Sequence, residues 1–174
     1  MEQLDLHEAL VMATLDPLTE PLVRLFFRID AAHPTDLSLR AVFEFWRWKR
    51  ADMIAPHESE FAALPSELSP FVFRARLALN GARNWGVLNI GSTAAAVLGI
   101  TRGDLAQVAD KRVAVRLRRL FDIVAERTEP YSAMFEINSK DRGRQFVEVF
   151  AAPLSNGGKG TRLIFAAANS RIEG

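Results

Sequence analysis

Residues 85–105 read WGVLNIGSTAAAVLGITRGDL, and the order of elements in this stretch decides the fold. Trp85 to Ile90 has the composition of a strand, with Trp85, Val87 and Asn89 on one face by simple alternation. Gly91 and Ser92 then open a helix of small residues, Thr93 to Leu98, with Ser92 offered as its cap and Gly99 as its stop. Thr101 and Asp104 mark one more short helical turn. Upstream, Asn80 and Gly81 signal a tight turn from a preceding strand, Phe71 to Leu79. That strand sets Phe71, Phe73, Ala75, Leu77 and Leu79 on one side and Arg74 and Arg76 on the other. Downstream, Arg112 to Arg127 is the longest clean helix, with Val113, Leu117, Leu120, Phe121 and Val124 on one stripe, and Pro130 ends it.

Three strands follow: Tyr131 to Asn138, Arg144 to Pro153 and Thr161 to Asn169, joined by Lys140–Gly143 and by the Asn156-Gly157-Gly158 loop. The last two are apolar on both faces. Phe146 and Phe150 oppose Val147 and Val149, and Leu163 and Phe165 oppose Ile164 and Ala166. Such a sheet needs cover on both sides. The cover is sought upstream, where Asp36 or Ser38 can cap a helix running to Arg50. Leu39, Val42, Phe43 and Trp46 form its apolar stripe, and Ala41, Phe45 and Trp48 line a second one. Pro56, Pro65 and Pro70 make residues 51–70 an irregular connection. The reading therefore divides the chain into a helical extension and linker, residues 1–65, and a compact α+β domain, residues 66–174. Leu4 to Leu15 reads as a short helix interrupted at Asp16 and Pro17. Leu22, Leu25, Phe26 and Ile29 recur at helical spacing, while Val23 and Phe27 give a second apolar side, so helix and strand both stay open there.

The 174 residues suit one packed domain with an added element, and 49% hydrophobic with 25% charged residues is ordinary for a globular chain. A net charge of +1 selects no partner, so nucleic acid is not expected. The absence of cysteine excludes disulfides, thiolate nucleophiles, Fe–S clusters and cysteine zinc sites. The acidic start MEQLDLHEALVM does not resemble a signal peptide. No apolar run reaches the about 18 residues of a membrane span, so a cytoplasmic location without membrane contact is expected.

The order of two strands, three helical pieces and three strands resembles the PAS family, and within it the stand-alone PAS proteins of alphaproteobacteria. The likeness is carried by FEFWRWKR at Phe43–Arg50, by NIGSTAAAVLGITRGDL at Asn89–Leu105 and by APLSNGGKGTRLIFAA within Ala151–Ala167. It implies a five-stranded antiparallel sheet with helices on one face and an N-terminal helical extension. It also implies a sensory or protein-interaction module of bacterial signal transduction, with a cavity between sheet and helices for haem, flavin or a metabolite. That group carries an arginine and an aromatic just before the glycine that Gly91 matches. Here Val87 to Ile90 stand there, and the arginine's role does not carry over.

The chemistry on offer is sparse. His7, His33 and His57 all precede the expected core, none lies on the long helix where haem-binding relatives place their ligand, and their spacing matches no metal pair. Haem and metal are disfavoured, and a cysteine-linked flavin is excluded. No nucleophile elbow is present, Ser92 reads as a cap, and Asn156–Gly160 lacks the following helix that a phosphate loop needs. Asn89, Phe121, Tyr131, Phe135 and Phe150 are the candidates for lining a ligand cavity, each equally at home as core. Arg112, Arg116 and Arg119 share one face of the long helix, to meet an acidic partner or simply water. Ala41, Phe45 and Trp48 are the interface candidates, facing either a second copy or the segment Leu22–Ile29.

The expected protein is thus a non-enzymatic, homodimeric signalling module acting in trans on a protein partner, with or without a small-molecule ligand. A ligand-free dimerisation module is the first alternative. A small cone-shaped α+β enzyme ranks last, because the inward positions are nearly all apolar.

Overall fold

A computed structural model describes residues 26, 28–30, 33–78, 84–139, 143–158 and 160–171. The helix expected over Leu4–Leu15, His7 and the turn at Asn80-Gly81 lie outside them. Strands β1 (Arg28–Asp30), β2 (Val72–Ala78), β3 (Asn84–Ile90), β4 (Gly103–Asp104), β5 (Tyr131–Ser139), β6 (Gly143–Leu154) and β7 (Leu163–Arg171) form one antiparallel sheet. Its order is β1-β5-β6-β7-β2-β3-β4. The five long strands are those expected; β1 and β4 add two short edges, so the sheet has seven strands rather than five. Of the segment left open between helix and strand, residues 28–30 are strand, pairing with β5 from Arg28↔Met134 to Asp30↔Ser132, while Leu22, Val23, Leu25 and Phe27 lie outside the described residues.

Helix α1 (Leu37–Arg50) covers one face, while α2 (Ser92–Leu98) and α3 (Lys111–Arg127) cover the other. Helices therefore flank both faces rather than one. The two-sided composition of β6 and β7 is the cause. Val147, Val149, Ile164 and Ala166 point into the core under α3 with Phe73, Trp85, Leu117 and Phe121. Phe150, Leu163 and Phe165 point into the core under α1 with Leu39, Val42, Phe43 and Trp46. The boundary expected near Ser66 divides the sequence, yet packing runs across it: the ring of Phe61, in the 3₁₀ turn at Glu58–Ala63, packs tilted against Phe165 of β7 with centroids 4.2 Å apart.

Two indole N–H groups tie the layers to the sheet. Trp46 Nε1 donates to Pro153 O at 3.0 Å and Trp85 Nε1 to Asp122 Oδ1 at 2.9 Å, joining α1 to β6 and β3 to α3. The helix termini differ in detail from expectation. Asp36 is the cap of α1, accepting from Leu39 N at 3.0 Å. Ser92 does not cap α2; Gly91 occupies the cap position without a side-chain bond. Gly91 is required by proximity, since a Cβ there would lie 2.2 Å from Ser69 O. Gly99 ends α2 in the left-handed region at φ 64°, as expected of it.

The N-terminus of α1 is fixed by a buried carboxylate on β6. Glu148 accepts from Thr35 N at 2.7 Å, Thr35 Oγ1 at 2.8 Å, Asp36 N at 2.9 Å and Ser132 Oγ at 2.9 Å. Burial alone would raise its pKa, but these four donors outweigh it and the group sits below the ordinary glutamate value. Its contribution to stability is therefore complete above the unfolded-state value, about 4.3, and is lost as pH falls through the lower native one. Glu148→Gln sets an amide N–H₂ among those donors and is expected to cost about 2 kcal/mol at neutral pH. Urea unfolding of the two proteins across a pH series checks this, with the gap narrowing as pH falls through the acid range.

Candidate functional site

Helix α1 is the element whose two sides serve different purposes. Leu39, Val42, Phe43 and Trp46 are buried against β6 and β7, and Phe43 meets Phe150 edge-on at 5.6 Å. On the outer side Leu37, Ala41, Glu44 and Trp48 follow one another at i, i+4, i+7, i+11, and all four are exposed. Leu37 is 77% and Trp48 73% exposed, and past the helix end Ile54 is 70% exposed beside Met53. An ion pair from Arg47 Nη2 to Glu44 Oε2, 2.8 Å, borders this stripe. Lys49 Nζ lies 4.6 Å from the Trp48 ring centroid, a cation–π contact on an indole that stays exposed.

The three interface candidates are thus not equivalent. Ala41 and Trp48 are on the outer stripe, whereas Phe45 is half-buried and meets Phe61 edge-on at 5.4 Å. The described residues of the segment Leu22–Ile29 are engaged elsewhere than at Phe45. Phe26 packs in the opposite core, 6.1 Å from Phe135, and residues 28–30 extend the β5 edge.

The ligand-lining candidates do not converge. Phe121 and Phe135 are fully buried in the core under α3, where Phe121 contacts Phe73 and Trp85, and Tyr131 packs at its border. Phe150 lies on the other face, under α1. So does Asn89, and the reason is a bulge: Arg74 pairs with Asn89 but Ala75 with Val87, leaving Leu88 as an extra residue. The insertion reverses the alternation beyond it, so Leu88 and Asn89 both face away from Trp85 and Val87. Asn89 instead accepts from Arg74 Nε at 2.8 Å.

That pair belongs to an open cleft of about 370 Å³ lined by Phe61, Leu64, Val72, Arg74, Asn89 and Phe165, with Glu58, Ser59 and Ala62 on its lip. The cleft opens where α1 stops covering the sheet. Nothing in the periodicity pointed to it, though an arginine on the strand face beside Val72 was a legible anomaly.

The three basic candidates on α3 differ in their surroundings. Arg116 donates from Nη1 to Arg112 O at 3.2 Å and lies 5.4 Å from the Phe135 ring centroid, while Arg119 is half-buried and Arg112 exposed. His33 sits 4.7 Å edge-on to Phe43, and His57 Nδ1 accepts from Ser59 N at 3.2 Å. Among the described residues no group of three potential metal ligands comes together, and no helix is long and apolar enough to cross a membrane.

No family model and no curated protein matches the chain. Among solved structures, one described as "Flavin Analogue Sheds Light on Light-Oxygen-Voltage Domain Mechanism" aligns with a TM-score of 0.43 and 11% identity, covering 64% of this chain and 89% of that one. No residue role passes between chains at that level.

The inner and outer residues of α1 make a direct contrast. Phe45→Ala is expected to destabilise the protein by about 2 kcal/mol through lost burial and the Phe61 contact, while Trp48→Ala stays within about 0.5 kcal/mol. Thermal and urea unfolding of the two variants measure the difference.

Proposed function

We propose that this chain is a PAS-like interaction module of signal transduction whose output is a protein contact made by the outer stripe of α1, in the first instance with a second copy of itself. The observation that carries this is the exposed apolar row Leu37, Ala41, Trp48, continued by Met53 and Ile54, on a helix whose other side is committed to the sheet. The chain order that suggested a PAS-like module, two strands, helical pieces and three strands, recurs in β2 through β7. It supports the reading without naming a signal.

The stripe is self-complementary. A two-fold axis between Ala41 and Glu44 sets Leu37 of one copy against Trp48 of the other, and the small Ala41 permits close approach of the helices. The space between sheet and α3 is filled by Phe73, Trp85, Phe121 and Phe135, which favours contact over ligand binding at that place. The near absence of polar side chains there likewise disfavours acid–base chemistry.

Light scattering distinguishes the outcomes. The wild-type chain, 19.4 kDa as a monomer, is expected to run at twice that mass and Trp48→Glu at the monomer mass with unchanged circular dichroism. A monomeric wild type, or a variant that stays dimeric, overturns the self-association.

A further inference from the structure

The cleft beside α1 is on the face of the sheet opposite α3, and its walls combine one cation with a largely apolar floor. Phe165 is fully buried beneath it and Val72 and Phe61 are nearly so. Arg74 reaches this face from β2, in register between Phe165 of β7 and Asn89 of β3. Its Nε is held by Asn89 Oδ1 at 2.8 Å, and among the described residues no carboxylate pairs with its terminal nitrogens. A guanidinium anchored at one edge and open at the other matches the two oxygens of a carboxylate. The opposing lip is fixed in place: Glu58 N donates to Ser155 O at 2.9 Å, and Ser155 N donates to Pro56 O at 2.9 Å.

We infer that this cleft binds a small organic monocarboxylate with an apolar body, the carboxylate on Arg74 and Asn89 Nδ2 and the body over Phe61, Val72 and Phe165. The volume lies at the small end of ligand sites, which start at about 300 Å³. Charge narrows the class further. Arg74 is the single cation among the lining residues and Glu58 stands on the lip, so nucleotides and inorganic phosphate, which concentrate negative charge, are poorly matched. This inference rests on the cleft alone and not on the stripe of α1, and its readout is separate from oligomeric mass.

Amide chemical shifts of the full chain, followed during titration with phenylacetate, octanoate, phenylacetamide and phosphate, test it. At least one of the two carboxylates is expected to shift the amides of Ala62, Arg74 and Asn89. Phenylacetamide, lacking the charge, and phosphate are expected to bind about tenfold or more weakly than that carboxylate. Arg74→Gln should weaken the carboxylate by about tenfold or more, and Ala62→Phe, which fills the cleft from its exposed lip without replacing a sheet residue, should abolish the shifts. The idea falls if neither carboxylate shifts these amides, if binding survives both substitutions, or if phosphate or the amide binds as well as the acid.

Discussion

A sheet that is apolar on both faces cannot stand with one face wet, and that constraint organises the molecule. Where β6 and β7 run side by side, each residue facing α3 is followed by one facing α1, and both sets are buried. Two layers of cover must therefore come from the same chain or from another one. Here α2 and α3 supply one, and α1 with the 3₁₀ turn at Glu58–Ala63 supplies the other. The apolar contacts set the layer; polar contacts set its position. Trp46 reaches Pro153 O near the C-terminal end of α1, and Glu148 gathers the Thr35 and Asp36 amides at its start. A helix held at both ends in this way has little freedom to slide, and its outer side is what remains for function.

Most of this architecture was legible because it depends on composition averaged over whole elements. The alternation in β6 and β7 announced a two-faced sheet, and Leu39, Val42, Phe43 and Trp46 announced its cover. The features that escaped depend on single residues whose effect is geometric. One inserted residue, Leu88, reverses the direction of Asn89, and alternation has no means of locating a bulge. Phe45 and Trp48 look equivalent at i, i+3, and only the fold of residues 58–63 back onto α1 distinguishes them by burying one against Phe61. Ser92 has the right chemistry for a cap, but the helix begins one residue earlier, with Gly91 at the cap position and so close to Ser69 and Pro70 that no Cβ fits there. Glu148 did leave a trace, being a lone charge in the apolar run FVEVFAAPL at 146–154, and a charge in a strand buried on both sides implies a cage of donors.

The functional picture follows the same division. The core under α3 is filled by its own aromatic side chains, and the residues whose types suit ligand contact either belong to that filling or its border or face the other way. What is exposed and distinctive lies around α1: an apolar stripe on its outer side and a cleft with an anchored arginine where its cover stops. Both depend on α1 being a fixed layer of the domain and not an arm resting on it.

Native-state hydrogen exchange tests that dependence most directly. If α1 is an integral layer, the amides of Val42 to Trp46 exchange only through the opening that also exposes the central amides of β6 and β7, with the same protection and the same response to denaturant. Exchange of the α1 amides orders of magnitude faster than those of the sheet, with the strands still protected, would contradict the account.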